Sequence, residues 1–293
     1  MRGLVRVHAT DMIVFLNGQF VAQEQARVSV FDRGFLYGDG LFETLRVANG
    51  RPFLWDQHLK RLWAGVEFCK LELPFAPMEL REIATELIER NQTRAAVLRL
   101  TISRGVGPRG YSPHGAAPAT VVMSLHAAPG VDADVPRGWR LATSSIRLTS
   151  TEPLSRFKTC NKLPQIVARA EADALGADEA LLLGQDGWAV EGTCSNLFWI
   201  TDRTLLTPPL SSGALPGITR AAVFELCAKL GVSCREANAK PEQLLACEGV
   251  FLTLSSLGIV AASHLDKQPL AHSPIADRIS AAYSELLISQ TQL

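Results

Sequence analysis

Leu215-Pro216-Gly217-Ile218-Thr219-Arg220 is the stretch of sequence that best predicts the fold. Pro216-Gly217 is typical of a loop that feeds directly into a helix, here predicted over 218–230. The first N–H groups of that helix, with the Thr219 hydroxyl and the helix dipole, would form a site for an anion of phosphate size. An ordinary helix start remains the alternative, because Pro-Gly serves it equally well.

An amine lies upstream of this stretch. Lys158 falls in Phe157-Lys158-Thr159-Cys160-Asn161-Lys162, between a polar loop and a predicted amphipathic helix whose apolar residues include Leu163, Ile166 and Val167. Desolvation beside Phe157 would favour a neutral, nucleophilic amine. A solvent-exposed lysine is the alternative, and Lys162 is the rival amine, although its place at the helix start suits solvent better.

An acidic residue, Glu191, lies downstream of Lys158. Glu191 follows the strand-like Trp188-Ala189-Val190 and precedes Gly192, which permits close approach of another group. Such an acid could pair with a protonated ring nitrogen, or it could be an ordinary turn carboxylate. Ser195-Asn196 then begins another strand. Pyridoxal 5'-phosphate (PLP) requires an amine to bind its aldehyde, an acid beside its ring nitrogen and an anion site for its phosphate. The sequence offers all three, and we therefore predict PLP as the cofactor.

The hydrophobic pattern predicts a mixed α/β (α+β) protein with two domains. Asn17-Gly18 and Asn49-Gly50 are strong hairpin signals. We predict a small N-terminal domain over 1–126, with 1–11 as a disordered leader, a linker over 127–138 and a larger domain over 139–293. Further helices are predicted over 56–71, 78–90, 163–174 and 274–288, and strands over 95–103, 119–126, 178–183, 195–200, 249–254 and 259–264.

A glycine-rich loop follows the predicted strand 95–103. Gly105-Val106-Gly107-Pro108-Arg109-Gly110 matches a dinucleotide-binding pattern, but the residues after it cannot open the helix which that motif requires. We instead predict a substrate loop in which Arg104 and Arg109 bind carboxylates. A solvated, turn-rich loop is the alternative.

Composition excludes several classes of protein. Among the 293 residues, 29 Lys and Arg balance 29 Asp and Glu, so no net charge favours nucleic acid or an anionic membrane. No apolar run is long enough to span a bilayer. The six cysteines lack metal-site spacing and the six histidines are dispersed, which predicts no metal site and reduced thiols in a cytoplasmic protein.

At these residues the chain resembles the fold-type IV (class IV) PLP-dependent aminotransferase family. The landmarks are Phe35 through Glu43, His58-Leu59-Lys60-Arg61-Leu62, Lys158 through Asn161, Glu191 through Phe198 and Leu215 through Arg220. The resemblance implies a small α/β domain, a larger pseudo-barrel domain and a homodimer. It also implies Lys158 as the Schiff-base lysine, Glu191 as partner of the pyridine nitrogen, and a cofactor site that includes Arg61, Ser195, Asn196, Ile218, Thr219 and Ser255.

Within this family, the loop from Ser103 to Ser112 looks most like that of 4-amino-4-deoxychorismate lyases, which release pyruvate and 4-aminobenzoate in folate biosynthesis. Leu254 and Ser256 depart from the pattern typical of the lyases. The alternatives are an aminotransferase for D-amino acids, branched-chain amino acids or R-amines and, more remotely, a non-catalytic PLP-binding protein. The candidate pocket residues for a small amino substrate carrying carboxylates are Tyr37, Thr44, Arg104, Arg109, Tyr111 and Ser256.

Overall fold

The computed structural model describes residues 12–116, 118–128, 138–150 and 152–292. The chain divides into two compact units. The first runs up to Ala128 and also includes Thr159–Asn161, and the second comprises the remaining described residues up to Gln292. The predicted leader at 1–11 and most of the predicted linker, residues 129–137, lie outside the described residues.

The first unit contains one six-stranded sheet and three helices, with the strands in the order β2-β1-β6-β5-β3-β4. The helices α2 and α3 bury apolar faces that include Leu62 and Val66 of α2 and Leu80 and Leu87 of α3. In chain order the elements are β1 (Ile13–Leu16), β2 (Gln19–Ala22), α1 (Arg33–Tyr37), β3 (Gly40–Ala48), β4 (Arg51–Pro52), α2 (Trp55–Cys69), α3 (Pro77–Arg90), β5 (Ala96–Ser103) and β6 (Thr120–Ala127).

Both predicted hairpins form. Asn17 and Asn49 adopt left-handed backbone conformations, with φ of 49° and 50°, and each is followed by a glycine with positive φ. Two consecutive residues of this kind make the tight turn whose twist matches that of the flanking strands. The turn chemistry therefore fixes the register of β1 with β2 and of β3 with β4.

Three residues of the first unit come from the middle of the chain. Thr159 forms a β-bridge with Leu41, and the Cys160 N–H donates to the Gly40 carbonyl at 2.9 Å. The Asn161 amide donates to the Gly38 carbonyl at 3.3 Å. The predicted linker at 127–138 divides the chain once and therefore assigns Thr159–Asn161 to the second domain. A contact made by three residues is too short to produce a hydrophobic pattern, so the sequence could not predict it.

The second unit contains a nine-stranded sheet and four helices. Its strand order is β12-β11-β10-β13-β14-β7-β8-β9, with β15 paired to β14 and β9 paired also to β10. In chain order the elements are β7 (Trp139–Leu148), α4 (Leu163–Ala174), β8 (Glu179–Gly184), β9 (Ala189–Gly192), β10 (Asn196–Thr201), β11 (Thr204–Thr207), α5 (Ile218–Leu230), β12 (Cys234–Glu236), α6 (Pro241–Leu245), β13 (Gly249–Leu254), β14 (Gly258–Leu265), β15 (Gln268–Pro269) and α7 (Pro274–Thr291).

The additional pairing of β9 with β10 closes six strands into a barrel. The closure consists of one registered pair, Glu191 opposite Asn196. On its other side Asn196 is opposite Thr253 of β13. The barrel seam therefore places an acid, an amide and a hydroxyl on neighbouring strands, and the predicted pseudo-barrel is confirmed.

Two apolar groups of side chains fix the helices on this barrel. Phe198 and Phe251 stack with ring centroids 5.1 Å apart, and they pack with Val223 of α5 and Ile279 of α7. On α4 the buried residues are Ala168 and Ala172, which pack near β7 and β8. The predicted helix at α4 is thus confirmed, but its large apolar residues Leu163, Ile166 and Val167 are exposed rather than part of the core. Within the described residues, no helix combines the length and apolar character needed to cross a membrane.

Candidate active site

Glu191 is the acid around which one part of the site is organised. Its Oε2 accepts a hydrogen bond from the Leu215 N–H at 2.9 Å and lies 3.3 Å from the Asn196 Nδ2. The same Asn196 nitrogen donates to the Leu215 carbonyl at 2.8 Å. The barrel seam and the loop before α5 are therefore joined by a compact hydrogen-bonded group.

Burial raises the pKa of Glu191 to about 7, even though the Leu215 N–H and the charges of Lys162 and Lys158 act to lower it. A buried carboxyl that ionises near neutral pH is well suited to a cationic partner, because a nearby positive charge would restore its ionised form. Lys158 is half-buried and Lys162 lies at the N-cap of α4. Both amines act electrostatically on Glu191, so the structure does not separate the predicted lysine from its rival on this ground.

The predicted anion site lies at the N-terminus of α5. Ile218 and Thr219 are the first residues of the helix, where N–H groups have no partner within the helix itself. Gly217 precedes them, and a Cβ built on it would lie 1.9 Å from the Asn196 Oδ1. Only glycine therefore allows the helix to begin this close to the barrel seam.

Thr253 adds a second observation on the same side of the barrel. Its side chain is buried, and among the described residues its hydroxyl finds no hydrogen-bond partner. Thr253 is directly opposite Asn196 in antiparallel strands, so the two side chains point to the same face. Ser255 and Ser256 follow in the turn between β13 and β14. A buried polar group without a partner calls for an explanation, and an anion bound near Asn196 and the start of α5 would supply one.

Glu179 is a second buried acid, and the sequence did not lead us to it. It is 0% exposed, and its oxygens accept hydrogen bonds from the Thr193 N–H and hydroxyl and from the hydroxyl of Ser195. The acid thereby holds the loop that connects β9 to β10. An acid at the start of the apolar run Ala180–Leu183 was the available signal, since a carboxyl in a buried strand requires donors.

Ser195, expected among the cofactor-binding residues, lies beside this acid. Its hydroxyl donates to the Glu179 Oε2 at 3.2 Å. A Cβ on Gly192 would lie 2.3 Å from this hydroxyl oxygen, so the side chain is also closely packed. Ser195 thus shapes the loop that positions Asn196.

Arg61, expected to hold phosphate, is fixed within the first unit by Glu43. The Arg61 Nε and Nη2 donate to the two Glu43 oxygens at 2.8 and 2.7 Å, and His58 Nδ1 lies 2.7 Å from Glu43 Oε2. Burial opposes ionisation of Glu43, but the charge of Arg61 and the hydrogen bonds from His58 and Arg61 lower its pKa to about 2. Glu43 is therefore ionised at every working pH and holds the guanidinium in one orientation.

The loop after β5 is anchored by Arg33, a residue that the sequence analysis did not select. Its Nε pairs with Asp39 at 2.8 Å, and its two terminal nitrogens donate to the carbonyls of Gly110 and Tyr111 at 2.8 and 3.2 Å. Its guanidinium also lies over the Tyr37 ring. The buried Arg33 therefore holds the backbone of this loop in one conformation at Gly110 and Tyr111.

Arg104, expected to bind a substrate carboxylate, is bonded within the first unit in this structure. Its Nε pairs with Asp39 at 2.8 Å, and its terminal nitrogens donate to the carbonyls of Cys69 and Lys70 at 2.9 and 3.1 Å. All three nitrogens of the guanidinium are thus engaged within the first unit. Arg104 therefore anchors the base of the loop that follows β5.

The other candidate substrate residues of the first unit are exposed or half-buried. Arg109 is exposed and forms no ion pair with any described residue, and Tyr111 is 88% exposed. Tyr37 accepts a hydrogen bond from the Gly110 N–H at 3.1 Å, and its ring meets that of Tyr111 edge-on. Thr44 is half-buried in β3, opposite Arg99.

The chain belongs to the amino-transferase class IV family, whose model matches residues 40–265. A relative described as a putative branched-chain-amino-acid aminotransferase, from Methanocaldococcus jannaschii, is 32% identical, covering 91% of this chain and 92% of the relative. The aminodeoxychorismate lyase of Bacillus subtilis is 29% identical, covering 87% of each chain.

A solved structure gives the same result for the fold. The T.th. branched-chain amino acid aminotransferase with pyridoxamine 5'-phosphate has a TM-score of 0.88 at 31% identity, covering 96% of this chain and 95% of that chain. The protein is therefore an enzyme of fold type IV, and its cofactor is PLP.

The residues of the second unit fit this cofactor. The raised pKa of Glu191 suits a protonated pyridine nitrogen, and the Thr253 hydroxyl, which has no partner among the described residues, is on the strand next to Asn196. A Cβ at Gly217 would collide with Asn196, so the start of α5, which could hold a phosphate, lies close to the same seam. These residues could therefore hold both the ring and the phosphate of the cofactor.

Proposed function

We propose that this enzyme is a 4-amino-4-deoxychorismate lyase, which converts its substrate into pyruvate and 4-aminobenzoate. The observation that carries the proposal is the anchored loop of the first unit. Arg33 holds the carbonyls of Gly110 and Tyr111, so that Arg109 and Tyr111 stand exposed on a fixed backbone. A cation and an aromatic ring of this kind suit a substrate that carries a carboxylate on a six-membered ring.

The cofactor residues have separate roles in this proposal. Bound PLP supplies an electron sink for the pair released at the substrate carbon that bears the amine. The ionised Glu191 carboxylate pairs with the protonated pyridine nitrogen and so favours its protonated form. The start of α5 holds the phosphate through the N–H groups of Ile218 and Thr219. Arg61, oriented by Glu43, and Ser255 are further proposed phosphate ligands, supported by the family resemblance.

Lys158 is the proposed acid and base. Its amine would hold bound PLP and, when free, would remove the proton from C4 of the substrate ring. The C–O bond to the enolpyruvyl group breaks as the ring becomes aromatic, and the Lys158 ammonium returns the proton to the methylene carbon of the departing enolpyruvate. The proton removed from C4 is thus the one that the enolpyruvate receives, and the products are pyruvate and 4-aminobenzoate.

The test is a direct assay of the holoenzyme with aminodeoxychorismate generated in situ. Joint appearance of pyruvate and 4-aminobenzoate is expected, and Lys158→Ala should abolish it. If neither product forms while an amino acid converts the cofactor to its amine form, the enzyme is an aminotransferase. That alternative is supported by the aminotransferase relatives, and it uses the same Lys158 to move a proton between the cofactor and the substrate α carbon.

Arg109→Ala tests the substrate loop. Loss of a charged contact to a carboxylate should lower kcat/KM by roughly ten- to a hundredfold. Affinity for PLP should not change, because Arg109 is a surface residue of the loop. Arg27→Ala, which removes another exposed arginine of the same unit, is the matched control. An unchanged kcat/KM in Arg109→Ala would remove this residue from the substrate site.

We also propose that the enzyme is a homodimer. Within a short segment of the first unit Val30, Phe31, Phe35 and Leu36 are all exposed, and in the second unit the large apolar residues of α4, Leu163, Ile166 and Val167, are exposed as well. Large exposed apolar side chains grouped in this way are typical of a protein–protein interface. A second copy of the chain is the partner implied by the family resemblance.

A further inference from the structure

We propose that Tyr283 of the last helix, α7, is a positioning residue that prepares the Thr219 hydroxyl to donate a hydrogen bond to the cofactor phosphate. This inference rests on the proposed phosphate role of Thr219. It does not depend on whether the enzyme is a lyase or an aminotransferase. Tyr283 lies in the last helix of the chain, far in sequence from the motifs that identify the cofactor site.

The first observation is the meeting of two buried hydroxyls. Thr219 and Tyr283 are 3% and 5% exposed, and their hydroxyl oxygens are 3.4 Å apart. This separation is longer than the usual O–H···O range of about 2.5–3.0 Å, so the two hydroxyls are within reach of a weak hydrogen bond that a small shift would shorten. Thr219 is the second residue of α5, and its hydroxyl therefore lies in the first turn, beside the helix N–H groups.

The direction of the hydrogen bond decides what Thr219 can do. A threonine hydroxyl has one proton to donate and lone pairs that accept. If the Tyr283 hydroxyl donates to Thr219, the Thr219 proton is left for an acceptor such as a phosphate oxygen. The two bonds then reinforce each other, because a hydroxyl that accepts a hydrogen bond becomes a better donor.

The second observation ties Tyr283 to the turn that carries Ser255. A Cβ built on Gly258 would lie 2.7 Å from the Tyr283 Cε1, so the ring rests directly on the backbone of this residue. Gly258 pairs with Leu254 and closes the turn containing Ser255 and Ser256. One side chain thus touches both elements predicted to surround the phosphate in this unit.

The position of Tyr283 is itself fixed by packing. Ile279, one turn earlier in α7, is fully buried against Phe198, Val223 and Phe251. Residues four apart lie on the same face of a helix. The core contact of Ile279 therefore directs Tyr283 toward the start of α5.

The experiment compares PLP with pyridoxal, which has the same ring but no phosphate. Cofactor-free protein is titrated with each, and the dissociation constants are read from the absorbance of the lysine adduct. Tyr283→Phe keeps the ring on Gly258 and removes only the hydroxyl. We expect it to weaken PLP binding by about three- to tenfold, with pyridoxal binding unchanged within about twofold.

Two further variants complete the design. Thr219→Val should weaken PLP binding in the same selective way, and the double variant should bind no worse than Thr219→Val alone, since the two hydroxyls act as one unit. Ser284→Ala, which removes an exposed hydroxyl bonded within α7, is the control and should change neither affinity.

The outcomes separate the possibilities. Equal losses for PLP and pyridoxal in Tyr283→Phe would mean a purely structural role and would overturn the proposal. Additive losses in the double variant, or no loss in Tyr283→Phe, would also overturn it. If Thr219→Val alone leaves PLP binding unchanged, the hydroxyl of Thr219 is not a phosphate ligand, and the inference fails while the assay for lyase activity is unaffected.

Discussion

Glu191 shows how a single residue acquires chemistry from its surroundings. In the sequence it is an acid after a short strand, whereas in the structure it is a half-buried member of the barrel seam, hydrogen-bonded to the Leu215 N–H. Burial raises its pKa to about 7, against the Leu215 N–H and the charges of Lys162 and Lys158. Without a cationic partner, the ionised form is therefore costly in the folded protein.

This has a measurable effect on the cofactor-free protein. The pKa of Glu191 is higher in the folded state, about 7, than the ordinary value of 4.5, so its contribution to stability is present below pH 4.5 and is lost as pH rises toward 7. The stability of wild type relative to Glu191→Gln should fall over this range by at most about 3 kcal/mol. Urea unfolding at a series of pH values measures this difference, and parallel curves for the two proteins would contradict it.

At the scale of residues, the sequence predicted the positions of those side chains that belong to short, continuous motifs. Glu191, Asn196, Ile218 and Thr219 lie at the barrel seam and at the start of α5, as the pattern of acid, strand and Pro-Gly suggested. Hydrogen-bond partners were harder to predict. Ser195 is bound by Glu179, a residue of another strand, and no spacing in the sequence reveals a contact between strands.

Among the elements, the loop after β5 depends most on a distant residue. Arg33 lies in the short helix α1, and its contacts with Asp39, Gly110 and Tyr111 join three parts of the first unit. A lysine could keep the charge opposite Asp39, but it lacks the planar fork that reaches both carbonyls. The loop should therefore be sensitive to this conservative change.

Arg33→Lys should loosen the loop without affecting the cofactor. We expect a higher KM for the substrate, a loss of about 1–3 kcal/mol in the free energy of unfolding and an unchanged dissociation constant for PLP. Arg27→Lys makes the same change at an exposed arginine and is the control. Steady-state kinetics and urea unfolding test this, and a KM equal to that of wild type would show that Arg33 does not hold the loop in its working form.

Elements with strong local signals were predicted well. The Asn-Gly hairpins, the helix at α5 and the strand at β13 match the expected positions because turn chemistry and hydrophobic periodicity act over a few residues. The short α1 and the strands β11 and β12 were not predicted. They are too brief to show a period, and their conformation depends on neighbouring strands.

For the whole molecule, the exposed apolar residues predict association of two copies. Phe35 is 73% exposed, and Phe35→Glu should place a charge in the proposed interface and shift the protein toward the monomer. Met78→Glu is a matched control, because Met78 is 64% exposed on α3 and stands apart in sequence from the grouped apolar residues. Analytical ultracentrifugation measures the mass in solution. A monomeric wild type would contradict the dimer, and equal dissociation of the control would contradict the location.

The architecture as a whole was predicted through the family resemblance more than through periodicity. Strand and helix patterns indicated a mixed α/β chain, but barrel closure depends on the pairing of Glu191 with Asn196 across a short loop. The return of Thr159–Asn161 to the first unit likewise depends on pairing with the far strand β3. Contacts between distant segments arise from the packed fold, and a single sequence carries no direct record of them.

The narrow closure of the barrel has a further consequence for the lifetime of the enzyme. The strand β9 is held to β10 by one residue pair, so its local opening would separate Glu191 from Asn196 and from the start of α5 at once. A cofactor bound at the proposed site, by residues on both sides of this seam, would oppose the opening. Vitamin B6 supply would thus govern the resistance of the protein to degradation as well as its activity, since ligand binding stabilises only the closed form.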